Sequence, residues 1–581
     1  MHKLQGIPVS PGVAIAPALV VDSDGYRIER CTIPDDRIDR EMETLAAAVS
    51  AVELDLQRSR VATGELAGTA TGEIFAAQLQ MLNDPRLQSE LRRRIQDQKQ
   101  TAVYAVSRVL HHYAVALRRL DNPLLAERAQ DVIDIQRQLL AQLGAIDKDP
   151  LGELNVDAVV MANNLTPSET ANLDRRYVRA FCTETGGPGG HTAIVAKGLE
   201  LPAVVGLGPF MDQINSSSMV IVDGDKGVLI IDPDDETLSE YRERLIRRQT
   251  LAEKLATLRD LPAMTTDGCR IDVGANIEFP AEATIGLQRG ADGVGLYRTE
   301  FLYLASSSEP REEDHYVAYK QVVQASEDRP VVIRTLDLGA DKIDHRYTAG
   351  PEQNPFLGLR SIRLSLRHLD LFRVQLRAIM RAAVHGDIRV MFPLVTTLDE
   401  LRRARMVWSM VAEDLQTAGV PHRSDIPVGI MVEVPAAVMM LESFAGEVDF
   451  LSIGTNDLAQ YTLAVDRSNP YVADLYQSSD PAVLRLIARC ITVAGEHDLP
   501  LAVCGEMSSR PSRSLLLIGM GIRKLSVPPA SLPRVKKAIR TVSLRQCREI
   551  AERVMTLQSA AEVDLFLNDR LETLVPELTV A

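Results

Sequence analysis

The chain has 581 residues and a formal net charge of −15, a length that exceeds one ordinary core and points to two or three domains. The acidic balance argues against broad electrostatic capture of nucleic acid or of an anionic membrane, so an anion must be met by a local arginine cluster. Its six cysteines (Cys31, Cys182, Cys269, Cys490, Cys504, Cys547) form no CxxC pair, which fits a reduced cytosolic setting and no zinc site. There is no apolar run of about 18 residues, and MHKLQGIPVSPG lacks the pattern of a secretion signal, so a cytoplasmic protein without membrane insertion is expected.

In chain order, the alternating apolar positions up to Val21, broken by Gly6, Pro8, Pro11 and Gly12, read as strand, turn and strand. From Asp35 the period changes: Ile38, Met42, Leu45, Val49, Val52 and Leu56 recur at helical spacing until glycines at 64–72 interrupt. Further amphipathic helices are expected at 85–98, 102–120 and 124–143, making a helical bundle inserted in a β-containing domain. Strands resume at 156–161, 178–183, 203–205, 219–222 and 228–231. A charged stretch at 235–260 reads as a linker helix closed by Pro262. Eight short apolar segments follow, at 271–276, 293–298, 331–338, 389–395, 428–434, 449–455, 501–505 and 524–528, separated by helical stretches. That alternation is what a (β/α)8 TIM-like barrel requires, and a barrel gathers its reactive groups at the C-terminal ends of its strands. A final helical segment begins at Ser531.

Those strand ends carry the chemistry. Arg298, Arg334 and Arg467 lie at or just after them, with Arg360 of NPFLGLRSIR a fourth; forked guanidinium donors grip a phosphate in a defined orientation. Any one of them reads as well as a salt-bridge residue. Glu433 in GIMVEVP and Asp457 in SIGTND end adjacent strands; two carboxylates beside phosphate oxygens make a usual magnesium site, although they could instead neutralise the arginines. These groups are expected at a solvent-facing rim. Cys504 in AVCGEM ends another strand, where packing is an equally good reason for a cysteine. In the first half, GGPGGHTAIVAKG places His191 between a glycine-rich turn and the expected start of a helix, whose free N–H groups and dipole favour an anion such as a phosphorylated imidazole. A structural loop histidine fits the same spacing. The segment is neither a Walker loop nor a dinucleotide fingerprint.

GGPGGHTAIVA resembles the phosphohistidine motif of the phosphoenolpyruvate-utilising enzymes, and GADGVGLYRTEF, VVIRTLDLGADK, NPFLGLRSIR, GIMVEVPAA, DFLSIGTNDLAQYTLAVDR and AVCGEM resemble that family's barrel motifs in order. Within it the likeness is to the Enzyme I group of the bacterial sugar phosphotransferase system, and it runs from GIPVSPGVA through LTPSETANL to SLPRVKKAI. The resemblance implies a multidomain α/β protein. A swivelling β/α phosphohistidine domain would occupy 1–34 and 145–232, a carrier-binding helical bundle 35–144, a linker helix 233–261, and a phosphoenolpyruvate-binding and dimerising barrel 262–581. It implies that Arg298, Arg334 and Arg467 hold the phosphate with Lys342 and Arg360 nearby, and that Glu433 and Asp457 hold Mg2+. Asn456 would orient the carboxylate end, His191 would attack phosphorus, and Cys504 would protonate the enolate to give pyruvate. Thr170 of LTPSET would hydrogen-bond the active histidine, which would then pass its phosphoryl group to the small carrier protein HPr. A homodimer through the barrel is implied as well.

Two departures stand out. Pro188, Gly189 and Gly190 precede His191 where the family usually has Thr-Ser and often a basic residue, and Gln78 stands where histidine is common. The first motivates a rival reading as a weakly active or non-catalytic regulatory paralogue, against which the full set of barrel residues speaks. A dikinase would need a further nucleotide-binding domain and a phosphate loop, which this sequence lacks, and a nitrogen-branch relative would normally carry an additional sensory domain before GIPVSPG.

Overall fold

In a computed structural model, residues 1–21, 33–66, 78–118, 123–144, 156–163, 176–187, 196, 201–211, 214, 218–304, 309–339, 352–467, 469 and 471–579 are described. The chain divides into two compact units, Met1–Ile246 and Arg247–Ala581.

In the first unit, eight strands form one mixed sheet in the order β1-β8-β7-β3-β4-β5-β6-β2. They are β1 (His2–Gln5), β2 (Ile7–Ser10), β3 (Val13–Val21), β4 (Ala158–Ala162), β5 (Val178–Thr183), β6 (Ala203–Val205), β7 (Met219–Asp223) and β8 (Val228–Ile231). The opening strand-turn-strand thus finds its partners late in the unit: β1 pairs antiparallel with β8 and β2 with β6. Between β3 and β4 the chain makes the helices Ile38–Leu66, Pro85–Gln96, Ala102–Arg118 and Pro123–Gln142. Their apolar stripes close on a core that includes Leu45, Val52, Leu56, Leu91, Ile95, Val109, Ile135 and Leu139. The first helix runs on through Gly64, where a break was expected; one interior glycine costs only about 1 kcal/mol. Gln78 is buried at 4 % exposure, and its Oε1 has no hydrogen-bond partner among the described residues.

The second unit is a closed barrel of eight parallel strands. They are β9 (Asp272–Ile277), β10 (Val294–Tyr297), β11 (Val331–Arg334), β12 (Ile388–Phe392), β13 (Val428–Val432), β14 (Phe450–Gly454), β15 (Leu501–Cys504) and β16 (Lys524–Val527), and β16 pairs with β9 to close the ring. Alternation along each strand sends Val273, Ile277, Ile333, Val390, Ile430, Leu451, Ile453, Val503 and Leu525 into one apolar cluster with the surrounding helices. A second, smaller cluster of Leu296, Met391, Met431, Phe450 and Cys504, with Val332 packed against it, draws one residue from each of six neighbouring strands. This cluster fills the barrel beneath the strand ends, as a packed lumen requires. The helices Leu532–Thr541, Leu544–Val554 and Ala560–Leu574 follow the last strand.

Several strands stop short of their apolar runs, β11 by the most. β11 stops at Arg334 instead of running to Leu338: the Thr335 N–H still reaches the Met391 carbonyl of β12 at 3.0 Å, but the two donors after it leave the ladder for side chains. The Leu336 N–H goes to Gln375 Oε1 at 3.0 Å and the Asp337 N–H to Glu300 Oε1 at 3.0 Å.

Candidate active site

The C-terminal ends of β11, β13, β14 and β15 bring together Arg334, Glu433, Asp457 and Cys504, and the segment before the helix Ser361–Arg367 adds Arg360. Arg334 ends β11 and is 8 % exposed. Its guanidinium divides between Glu300 Oε1 at 2.9 Å and Asp337 Oδ2 at 2.9 Å, and Nη1 touches Met431 Sδ of the barrel filling at 3.8 Å. Arg360 Nη2 meets the other Asp337 oxygen at 2.8 Å and Asp457 Oδ2 at 3.3 Å, while Nη1 donates to the Tyr461 hydroxyl at 3.3 Å. Asp337 therefore spans two guanidiniums. Burial works to raise its pKa, but Arg334 and Arg360 outweigh burial and hold the carboxyl well below the usual carboxylate range.

Asp457 sits in the first turn of the helix Thr455–Leu463, whose N-cap is Gly454 at the end of β14. Besides Arg360 it faces Arg467 Nη2 at 3.8 Å. Arg467 is the most open of the cluster, with 37 % of its side chain exposed, and its N–H is anchored on Gln460 Oε1. Asn456 is turned to its own surroundings: Oδ1 accepts the Glu506 N–H at 3.0 Å and its carbonyl accepts the Tyr476 hydroxyl at 3.2 Å. Arg298 follows β10 and pairs with Glu278 at 2.8 Å.

Glu433 behaves differently from the other acids. It is 2 % exposed, and its Oε1 accepts the Leu394 N–H at 2.6 Å rather than a guanidinium. Leu394 is held at φ +53°, a left-handed conformation that is uncommon for such a side chain. Burial first, and then the carboxylates of Asp457 and Asp337, push the Glu433 pKa well above the usual range; Arg334 and Arg360 only moderate this. An added Cβ at Gly454 would lie 2.6 Å from Glu433 Oε2, so the glycine is what lets β14 lie this close to the carboxylate.

Among the described residues no three His, Cys, Asp or Glu side chains stand together as a metal cage. Two hard oxygen donors with surplus negative charge nevertheless suit a magnesium ion, which commonly takes one or two protein carboxylates and fills its remaining positions with water and substrate oxygens.

Cys504 ends β15 at 2 % exposure. Its thiol donates to the Ile453 carbonyl at 3.4 Å and accepts the Ser452 hydroxyl at 3.5 Å. Burial raises the thiol pKa, opposed by the Ser452 hydrogen bond. Gly505 follows at φ +111°, turning the chain directly over Thr455 and Asn456.

The expectation of a solvent-facing rim is corrected here. Arg334, Arg360, Asp457 and Glu433 are 8 %, 8 %, 7 % and 2 % exposed, because a mixed-sign cluster interlocks its own members instead of presenting each to water. Sequence reasoning missed Asp337, Glu300 and Gln375. Gln375, from the helix Leu369–Ala382, is fully buried; it accepts the Leu336 N–H and donates to the Thr299 hydroxyl at 3.1 Å and the Tyr319 hydroxyl at 3.0 Å. Thr299 donates in turn to the Arg334 carbonyl at 3.1 Å. One amide thus ties the segments that carry Arg298, Glu300, Arg334 and Asp337. The need of buried guanidiniums for counter-charges was the signal available for Asp337 and Glu300.

His191, Thr170 and Lys342, with Pro188, Gly189 and Gly190, lie outside the described residues. Upstream of these positions, the end of β5 is anchored at Glu184. Glu184, just after β5, accepts the N–H groups of Phe210 and Met211 at 2.9 Å each and the Asn163 amide at 2.8 Å, and Gly186 turns at φ +115°.

Comparison with known proteins gives matches along most of the chain. Residues 252–544 match the model of the PEP-utilising enzyme, PEP-binding domain; residues 5–128 match the N-terminal model and residues 154–227 the mobile-domain model of the same enzymes. The chain is 39 % identical over 564 residues to the phosphoenolpyruvate-protein phosphotransferase of Geobacillus stearothermophilus, covering 97 % of each. It is 38 % identical over 557 residues to the protein of that name from Enterococcus faecalis, covering 95 % of this chain and 96 % of the other. With the Staphylococcus carnosus protein the identity is 36 % over 561 residues, 97 % of this chain and 98 % of the other.

Proposed function

The chain belongs to the phosphoenolpyruvate-utilising enzymes, and on that footing we propose a residue-level account of how it moves a phosphoryl group from phosphoenolpyruvate to a protein histidine. Phosphoenolpyruvate binds at the C-terminal mouth of the barrel. Arg298, Arg334 and Arg467 hold its phosphate with Lys342 and Arg360, and Asn456 orients the carboxylate. Glu433 and Asp457 would hold the family's metal, here Mg2+, which when bound would supply charge neutralisation for the phosphoryl and enolate oxygens. The observation that carries this reading is the buried cluster of Arg334, Arg360, Asp337, Asp457 and Glu433 directly above Cys504 in sequence-distant strand ends.

His191 attacks phosphorus in line, and the enolate leaves. Positioning and charge neutralisation supply most of the acceleration in such transfers. Cys504 then gives its proton to the methylene carbon, releasing pyruvate. Thr170 supports the imidazole, which passes the phosphoryl group to a histidine of HPr as the first step of sugar phosphotransfer. No helix among the described residues is long and apolar enough to cross a membrane; a cytoplasmic site of action is part of the proposal. A homodimer through the barrel is part of the same reading; sedimentation against concentration measures it.

The test is incubation with radiolabelled phosphoenolpyruvate and magnesium, followed by transfer to HPr. Wild type should take up acid-labile label and pass it on, and His191→Ala should take up none. Label that persists on another histidine of His191→Ala would overturn the assignment, and a wild type that binds phosphoenolpyruvate without any transfer would favour a regulatory role.

A further inference from the structure

The barrel filling around Cys504 is apolar. Leu296, Met391, Met431 and Phe450 surround Cys504 in the barrel filling, and Ser452, 2 % exposed on β14, places a hydroxyl at the edge of that layer. A hydroxyl taken out of water costs free energy unless it is hydrogen-bonded, so its partner explains its presence. Among the described residues, the side-chain partner of Ser452 Oγ is Cys504 Sγ, at 3.5 Å. The thiol's own proton has a separate acceptor, the Ile453 carbonyl at 3.4 Å. The sulfur is thus fixed between a donor and an acceptor from consecutive residues of β14, which pairs in parallel with β15 in register Ser452↔Ala502 and Gly454↔Cys504.

We propose that Ser452 is a positioning residue for proton donation: its hydroxyl holds the Cys504 sulfur in place and takes up the charge left on it when the proton departs. The proposal rests on the reading of Cys504 as the proton donor. Once phosphorus has moved to His191, the enolate's C2–C3 π pair takes the thiol proton. A C3–H bond forms, the C2 carbonyl closes to give pyruvate, and the S–H pair stays on sulfur as thiolate. Water returns the proton before the next turnover. Among the described residues the Ser452 O–H is the neutral side-chain donor aimed at sulfur, and a hydrogen bond to an ion is about twice as strong as one to a neutral group, so its hold increases as the thiolate forms. The charged groups acting on the sulfur come from other strand ends: Glu433 after β13 disfavours the thiolate, and Arg334 of β11 and Arg298 after β10 favour it.

The experiment uses the full chain with magnesium and phosphoenolpyruvate. Thiolate absorbance in the ultraviolet is followed against pH for wild type and Ser452→Ala, each with its Cys504→Ser counterpart as blank, and single-turnover pyruvate formation is measured in all four proteins. Ser452→Ala should move the Cys504 titration upward by roughly one pH unit and slow pyruvate formation about tenfold, with phosphoenolpyruvate affinity unchanged. In the Cys504→Ser background the same substitution should have no further effect. A Cys504→Ser defect combined with an unmoved thiol titration in Ser452→Ala, or with an equal Ser452→Ala effect in both backgrounds, overturns the proposal alone. An undiminished rate in Cys504→Ser would remove the proton-donor reading and the proposal with it.

Discussion

Glu433→Gln should make the protein more stable in the absence of metal while abolishing turnover. The carboxyl is 2 % exposed, it is held by a main-chain N–H, and it shares its surroundings with Asp457 and Asp337. Gln keeps the shape and an oxygen to accept the Leu394 N–H, and its amide can donate to a neighbouring carboxylate where Glu only repels. Relief of a strained functional site commonly yields about 1–2 kcal/mol, a rise of a few degrees for the unfolding of a unit of this size. The sign of the pH dependence follows from the raised pKa. Protonated Glu433 favours the fold, and that contribution is complete below the unfolded value of about 4.3. It is lost as pH rises from there through the folded value, so by neutral pH the buried Glu433 burdens the fold relative to the unfolded chain, where the carboxyl ionises freely. The advantage of Glu433→Gln should be largest in neutral buffer with chelator and should narrow as the solution is acidified. Differential scanning calorimetry of both proteins across this range, with and without magnesium, makes the measurement, and only wild type should gain stability from magnesium. A variant that melts at or below wild type in chelator at neutral pH, or that gains equally from magnesium, would refute the reasoning.

Asp337→Asn removes the charge shared by two buried guanidiniums, and breaking such a pair costs about 3–5 kcal/mol. Because the folded pKa of Asp337 is depressed, its contribution is present above the unfolded value of about 3.9 and lost as pH falls through the folded one; urea unfolding should therefore show a gap between wild type and variant at neutral pH that closes in strong acid. Gln375→Met leaves the buried Leu336 N–H without its acceptor, a loss of roughly 1–3 kcal/mol. The KM for phosphoenolpyruvate should rise several-fold in steady-state kinetics with kcat less affected, and an unchanged KM would show that the amide does not position the arginine-bearing segments.

The barrel was legible because its strands announce themselves twice, as short β-rich apolar runs and as runs that stop on a charged residue. Parallel closure puts every such stop on one face, so Arg334, Glu433 and Cys504 could be gathered from positions 334, 433 and 504 without any contact being known. The partners of those groups were less legible. Glu300 and Asp337 each lie three residues past a strand end, where neither strand nor helix periodicity marks which way a side chain turns. Gln375 was hidden by its setting: Leu371, Phe372, Leu376 and Ile379 of the same helix are buried apolar residues, and an amphipathic pattern assigns such a face to packing. Only the three-dimensional approach of that helix to the β10 and β11 ends reveals an amide whose oxygen and both N–H donors are engaged.

The two kinds of acid in this cluster divide the work between holding the arginines and leaving room for a substrate. Asp337 is bound to guanidiniums on both oxygens, so it fixes where Arg334 and Arg360 point but has little left to offer a ligand. Had Glu433 been satisfied in the same way, each arginine would be saturated and a phosphate would have to displace a carboxylate to bind. Instead Glu433 is restrained by the N–H of Leu394, a residue at φ +53°, and a non-glycine in that region costs on the order of 1–3 kcal/mol. A neutral donor restrains the carboxylate without cancelling its charge. Ionising Glu433 is disfavoured in the resting fold, and on the proposed reading a bound cation, and through it a phosphoryl group, would offset that cost at this end of the barrel.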